Sequence, residues 1–381
     1  MVMADYLWIS DSDKRSLIDL TLNYHADTIY VELTSRCNLR CLYCKKSLPG
    51  NDAVPGRNVD MSEDTIERTL NLIKTAGFKH ISLSGTGETT HMKNWMEVCS
   101  RFFDLGLKNY MLNSNFTRMF SKDELEFLLN FSSIMVSLDT ADAAVLKSVR
   151  GADLRAITTN IVMLRARARA LGRKATPILI NCTVTSTNAF LLADLATYCA
   201  EMKVHGLMLN SLFDYEDRQH TDTVKAVENM DAQGLQTLRE QISEAMRILK
   251  EAGIPMGVMP RLIDTANGIK ETLQPEMTRV CDPPWHQLTV GADGQLFPCC
   301  VTIDNVGNIR DSENAQELLN SETFRAFRYH MLNGPMPKGC RLCNNAQLGG
   351  RDQLFRQVVQ TKVQRQQYLT TERLPPGSKT S

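Results

Sequence analysis

Six short runs alternate apolar and polar residues regularly enough to dictate how a sheet built from them must be covered. They are Thr28–Thr34, Ile81–Ser84, Tyr110–Asn113, Ile134–Asp139, Ile178–Thr185 and Gly206–Asn210. Successive strand residues face opposite sides, so each run divides into two sets. One set is apolar: Val31, Leu33, Ile81, Leu83, Ile134, Val136, Leu138, Ile180, Val184, Leu207 and Leu209. The other is mostly polar: Glu32, Thr34, Ser82, Ser84, Asn113, Asn115, Ser137, Asp139, Asn181, Thr183, Thr185 and Asn210. A parallel sheet covered by helices on both faces would instead read as near-continuous apolar strands. Between the runs lie helix-period segments, one carrying Ile66, Leu70 and Ile73, another Leu191, Leu195 and Cys199, a third Leu235, Leu238, Ile242 and Leu249. Repeated strand–helix units imply a parallel sheet. The alternation implies an α/β partial barrel, with helices over its apolar outside and a polar inside that binds something polar.

The texture changes after about residue 270. Residues 281–350 are rich in Cys, Gly and Pro, with a hairpin expected at Asp293-Gly294 and one helix from Ala315 to Leu332. That stretch has too little apolar content for an independent core and reads as a small metal-stapled module. The division expected is an extension over 1–26, the barrel over 27–270, the module over 271–350, and a helix and disordered tail over 351–381. The first fifteen residues lack a signal-peptide apolar region, and no apolar run reaches the roughly 20 residues of a membrane helix. A soluble, cytoplasmic protein without a membrane partner is expected. The formal net charge is +0, with no basic footprint for nucleic acid.

Eleven cysteines are present, an odd number that argues against a disulfide framework. Cys99 and Cys199 fall on apolar helix faces and Cys182 on the outward set of its strand, so all three read as core. The others cluster. Cys37, Cys41 and Cys44 follow directly on the first strand, at the carboxyl end where α/β barrels place their chemistry. A structural zinc site needs four ligands and no fourth lies near in sequence. Three thiolates on an iron–sulfur cluster leave one iron open to a substrate or cofactor. Toward the other end, Cys281, Cys299, Cys340 and Cys343 can close four-coordinate ligation of either zinc or an iron–sulfur cluster.

CxxxCxxC with an aromatic residue (Tyr43) before the last cysteine, on the first loop of a (β/α)6 TIM-like partial barrel, resembles the signature of the radical S-adenosylmethionine (SAM) superfamily. The resemblance covers about residues 25–260. It implies a [4Fe–4S] cluster on Cys37, Cys41 and Cys44 that chelates SAM and cleaves it reductively to a hydrogen-abstracting 5′-deoxyadenosyl radical. Ser84-Gly85-Thr86-Gly87-Glu88 resembles the family's glycine-rich loop for the SAM amino group, departing from it at Thr86. Asn113-Ser114-Asn115 and Ser137-Leu138-Asp139 stand where the family binds the SAM carboxylate and ribose. Asp139 has a second reading, as the cap of a helix starting near Ala141.

The C-terminal cysteines resemble the family's SPASM extension, in its shortened "twitch" form. This implies one auxiliary [4Fe–4S] cluster on Cys281, Cys299, Cys340 and Cys343, with Cys300 the competitor of Cys299. A cluster with four protein ligands suits electron transfer, so the resemblance implies a net oxidation, like that of radical SAM dehydrogenases acting on an aminocyclitol hydroxyl. The expected substrate is a small polar metabolite, with a reductant such as flavodoxin or ferredoxin. The alternatives are a peptide-maturing enzyme, a redox-neutral epimerase with a thiol hydrogen donor, and a non-catalytic metal-stabilised binding protein. Peptide-modifying relatives often carry an N-terminal recognition domain, and with only 27 residues before the first strand that one route to peptide binding is not expected here, without a peptide being excluded. Glu32, Asn181, Asn210 and Asp214 are lumen candidates, and no residue is singled out as the base or hydrogen donor.

Overall fold

The computed structural model describes residues 23–44, 58–212, 224–269, 274–301, 304–343 and 346–372. Its barrel portion runs β1 (Thr28–Val31), α1 (Glu63–Ala76), β2 (His80–Leu83), α2 (Trp95–Phe103), β3 (Asn109–Ser114), α3 (Lys122–Leu128) and β4 (Ser133–Ser137). It continues with α4 (Ala143–Arg150), α5 (Leu154–Ala170), β5 (Ile178–Val184), α6 (Leu192–Glu201), β6 (Gly206–Ser211), α7 (Ala232–Glu251), β7 (Met256–Val258) and α8 (Pro260–Ala266). The strands form an open parallel sheet in sequence order from β1 to β7. The fold is a partial barrel, as the alternation implies. Ile29, Val31, Ile81, Leu83, Ile134, Val136, Ile178, Ile180 and Val184 are buried beneath the helices, while Glu32, Asn113, Ser137, Asn181 and Asn210 are half-buried on the other face.

The helices start and stop where local chemistry says they should. Ser62 caps α1 by accepting from Thr65 N–H, and Gly77 (φ 76) ends it in the left-handed conformation that glycine adopts without strain. Ser121 and Glu124 form a reciprocal capping box on α3. Asp142 caps α4, accepting from the N–H groups of Ala144 and Val145. Capping of that helix by Asp139 is therefore overturned.

The C-terminal portion comprises β8 (Met277–Arg279), β9 (Gln287–Val290), β10 (Gln295–Phe297), β11 (Gly307–Asn308), α9 (Ala315–Leu319), α10 (Glu322–Asn333), α11 (Lys338–Leu342), β12 (Leu348–Gly350) and α12 (Arg351–Glu372). The expected hairpin joins β9 to β10, with Gly294 at φ 85. The single expected helix is two, because Ser321 breaks the run and caps α10 through Phe324 N–H. β9 pairs in parallel with β1, Tyr30 opposite Thr289, so this portion extends the main sheet. Trp285, Leu288, Val290 and Phe324 belong to the same apolar cluster as the barrel core. The lack of an independent core thus has a structural answer: the module leans on β1. Asp214 and residues 373–381 lie outside the described residues. Among those described, no helix is long and apolar enough to cross a membrane.

Candidate functional site

Cys37, Cys41 and Cys44 sit on the loop beyond the carboxyl end of β1, Cys41 buried and the other two half-buried. Burial pushes the Cys41 thiol up to about 11, opposed by Arg150 and reinforced by Cys44, Asp139 and Cys37. Its proton has to be displaced by whatever metal binds, as for any thiolate ligand. The loop is held from several directions. Leu39 N–H donates to Cys37 Sγ (3.4 Å), and Asn115 Nδ2 donates to Cys37 Sγ (3.7 Å) and Asn38 Oδ1 (2.8 Å). Leu42 N–H donates to Val149 O (2.8 Å), and Cys41 Sγ–H to Arg150 O (3.7 Å).

Beneath the loop lies a buried network that sequence reasoning missed. Arg150, the last residue of α4, donates to Asp139 Oδ1 (3.0 Å) and to the Tyr43 hydroxyl (2.8 Å). Tyr43 O–H donates to Asp139 Oδ2 (2.5 Å), and Thr183 N–H to Asp139 Oδ1 (3.0 Å). Burial works against the charge on Arg150, but Asp139, Tyr43 and Cys41 outweigh it and hold the guanidinium protonated. Tyr43 and Asp139, both candidate SAM contacts, are thus brought together as a brace between the cysteine loop, β4 and β5. A basic residue at a helix C-terminus signals a dipole contact at most, so nothing local marked Arg150.

The Gly85–Glu88 loop presses against the same region. A Cβ on Gly87 would lie 2.6 Å from the Arg36 carbonyl oxygen and closer still to that of Thr34, so only glycine fits. Glu88 is buried, accepting from Thr90 N–H (3.2 Å), Thr90 Oγ1 (2.7 Å), Ser114 Oγ (2.9 Å) and Asn115 N–H (2.6 Å). Its carboxylate ties the loop to the end of β3. Ser84 and Asn113 stand lower in the lumen, where Ser82 Oγ donates to Ser84 (3.2 Å) and Ser137 Oγ to Asn113 Oδ1 (3.3 Å). Asn210 Nδ2 donates to Asn181 Oδ1 (2.6 Å). Glu32 accepts from Thr86 and from Ala292 N–H (3.4 Å), bridging the loop to the β9–β10 turn.

The lumen is not uniformly polar. By strand register, Met111, Met135, Leu179 and Met208 share its face with the asparagines, and all four are half-buried. Met208 lies across Gly257, where any Cβ would meet its terminal methyl carbon at 2.6 Å. The expectation of a polar interior is corrected to a polar tier mixed with a thioether-rich one.

The second cysteine group assembles from distant segments. Burial pushes Cys281 and Cys340 well up, and each feels both Cys299 and Cys343. Cys300 stands beside both Cys343 and Tyr30, the latter on the lumen face of β1, and Tyr30 also feels Cys299. Cys300 is exposed by area yet enclosed by enough protein that burial raises its pKa. Cys99, Cys182 and Cys199 are buried in the core.

A family model described as the radical SAM superfamily matches residues 31–181, and one described as an iron–sulfur cluster-binding domain, SPASM, matches 281–344. Residues 31–181 thus carry a radical SAM domain and residues 281–344 a SPASM domain. The chain is 36% identical over 111 residues to mitochondrial GTP 3′,8-cyclase of Arabidopsis thaliana, covering 29% of this chain and 28% of that one. It is 26% identical over 160 residues to PqqA peptide cyclase of Methylorubrum extorquens, covering 42% and 39%. It is also 27% identical over 197 residues to GTP 3′,8-cyclase of Pseudomonas putida, covering 51% and 56%. The chain spans between about a quarter and just over half the length of these curated relatives. Among solved structures, Streptococcus suis SuiB bound to S-adenosylmethionine matches with TM-score 0.63 at 15% identity, over 88% of this chain and 76% of that one. Native anSMEcpe with bound AdoMet matches at 0.57 and 16%, over 91% and 100%.

The two matched domains imply a SAM-binding [4Fe–4S] cluster, SAM itself and an auxiliary cluster. Among the described residues no group of three or more His, Cys, Asp or Glu side chains is closed enough to hold a metal ion, but the donors are of the right kind: three thiols on one loop beside a glycine cradle, and Cys281, Cys299, Cys340 and Cys343 acting on one another, with Asp282 and Asp304 beside them.

Proposed function

We propose that Cys37, Cys41 and Cys44 hold the SAM-binding cluster, and that Cys281, Cys299, Cys340 and Cys343 hold one auxiliary [4Fe–4S] cluster. When bound, the first cluster and SAM supply a radical that removes a hydrogen atom from the substrate. The chain's own part is to position and enclose. The backbone of Gly85–Gly87 would hold the SAM amino group, since the Glu88 carboxylate already accepts from Thr90, Ser114 and Asn115. Asn115 steadies Cys37. Tyr43, Asp139 and Arg150 fix the cysteine loop rather than touch the reacting atoms. Asn113 and Ser137 line the approach.

The reaction we infer is a net oxidation of a side chain carried on a peptide, with the auxiliary cluster taking an electron and a flavodoxin or ferredoxin serving as external reductant. One observation carries this reading: the lumen offers both carboxamides (Asn113, Asn181, Asn210) and a soft apolar surface (Met111, Met135, Met208). Carboxamides match peptide groups as donor and acceptor, and methionines adapt to varied apolar side chains. The names of the relatives divide: one group is peptide cyclases and a SuiB structure contains the precursor peptide SuiA, whereas another group is named for GTP, a small polar metabolite. The polar tier by itself favours a second reading, a small hydroxyl-rich metabolite. SAM-dependent 5′-deoxyadenosine formation separates them when peptide and metabolite panels are compared. Peptide-dependent turnover with a product two hydrogens lighter supports the proposal. Unchanged mass with solvent deuterium uptake would replace oxidation by epimerisation, with Cys300 as the first thiol to test.

A further inference from the structure

Three residues other than glycine have a positive φ among those described: Asn58 (φ 56), Phe116 (φ 55) and Lys203 (φ 48). Asparagine tolerates that conformation, and Lys203 is an exposed residue just past the end of α6, a usual place for it. Phe116 has neither reason. It is bulky, fully buried, and stands two residues beyond the end of β3. Such a residue takes a left-handed conformation only where its surroundings impose one.

The imposing group is Asn160, in the interior of α5 and 1% exposed. Its neighbours on that helix face are the buried Ile157, Ile161 and Leu164, and a carboxamide suits a helix interior poorly. Both of its polar atoms are spent on the turn. Nδ2 donates to Phe116 O (2.9 Å) and Arg118 O (2.8 Å), and Oδ1 accepts from Phe120 N–H (3.3 Å). Phe116 N–H donates to Ser114 Oγ (3.0 Å), and its ring packs on that of Phe120 with centroids 5.0 Å apart.

What the turn presents is Asn115. Its N–H donates to Glu88 Oε2 (2.6 Å), holding the glycine loop. Its Nδ2 donates to Asn38 Oδ1 (2.8 Å) and Cys37 Sγ (3.7 Å), holding the cysteine loop. Thr117 donates to its Oδ1 through N–H (3.1 Å) and Oγ1 (2.8 Å), which fixes the carboxamide with Nδ2 toward the cysteines. One residue thus joins both loops, and the backbone of the next residue sets its direction.

We propose that Asn160 is a positioning residue: it clamps Phe116 in the left-handed conformation and so keeps Asn115 joined to the glycine loop and the cysteine loop together. The inference rests on the reading of these two loops as the SAM site and deepens it.

The test compares the full reconstituted chain with Asn160→Leu and with Asn160→Leu combined with Phe116→Gly, reading SAM affinity beside melting temperature. Leucine keeps the branched shape and removes all three hydrogen bonds. Asn160→Leu should keep its iron and bind SAM at least about tenfold more weakly, the scale of one residue's left-handed penalty. Glycine takes a positive φ without a clamp. Adding Phe116→Gly should therefore restore most of the affinity, while loss of the buried ring lowers the melting temperature further. Affinity and melting temperature falling together in both variants would mean a merely structural role and overturns the proposal, as does parent affinity in Asn160→Leu. Amide exchange in the metal-free full chain reads the same coupling without a cluster. Asn160→Leu should speed exchange over residues 115–120 and also over 37–42, and a change confined to 115–120 overturns the proposal. That measurement decides if Asn160→Leu loses its iron, or if the parent binds no SAM, a result that defeats the site reading itself. Should Asn160→Leu not fold, folding of the double variant supports the clamp and failure of both overturns it.

Discussion

Eight consecutive residues supply all three thiols of the first site, whereas those of the second come from positions 281, 299, 340 and 343. The second set meets only because β8 pairs with β12 and β10 folds back on β9. The first site is a local loop pinned by its neighbours through Asn115, Val149 and Arg150. The second is made by tertiary structure, so its cluster and the C-terminal fold should stand or fall together.

Changing Cys37, Cys41 or Cys44 to Ala should abolish 5′-deoxyadenosine formation and lower iron from about eight to about four per chain, with little change in melting temperature. Cys299→Ala should also halve the iron but lower the melting temperature, while Cys300→Ala keeps both clusters. Equal melting temperatures for Cys37→Ala and Cys299→Ala would erase the contrast between local and tertiary assembly. Asp139→Ala leaves Arg150 buried and unmatched, and should cost about 3–5 kcal/mol in urea unfolding, most of it recovered when Arg150 becomes Met as well. Gly87→Ala drives a Cβ into the rigid backbone of Thr34 and Arg36, whereas on Gly85 it meets only the movable Glu32 side chain. SAM affinity should therefore fall at least about tenfold, ~1.4 kcal/mol, for Gly87→Ala and much less for Gly85→Ala.

The last prediction is a control outside both sites, where no effect on either cluster is expected. Burial opposes ionisation of Glu124, but Arg118, the Ser121 N–H and Trp95 outweigh it and hold its pKa down to about 2. A lowered carboxylate pKa stabilises the fold above the unfolded value of about 4.3 and loses that contribution as pH falls through about 2. Glu124→Gln should cost about 1.5–3 kcal/mol near neutrality and flatten the acid limb of stability, without changing iron content at either site.

The barrel was legible because each strand shows its two faces within a few residues, and Cys37–Cys44 because its ligands are contiguous. β7 was missed because three residues carry no alternation. The alliance of β9 with β1 was missed because partners so far apart in sequence leave no local trace. The thioether tier escaped because methionine at a lumen position reads as ordinary core. Arg150 escaped because it acts on Tyr43, far away in sequence, and has no neighbour that signals it. The break between α9 and α10 was readable, since Ser321-Glu322 is an N-cap followed by a first-turn acid.

The account's central claim is two clusters on two separate sets of cysteines, and iron and sulfide counting after anaerobic reconstitution tests it most directly. The wild-type chain, the Cys37/Cys41/Cys44→Ala chain and the Cys281/Cys299/Cys340/Cys343→Ala chain should carry about eight, four and four irons, with SAM cleaved by the first and third only. Zinc in place of iron, or the loss of all iron when either set alone is removed, would contradict it.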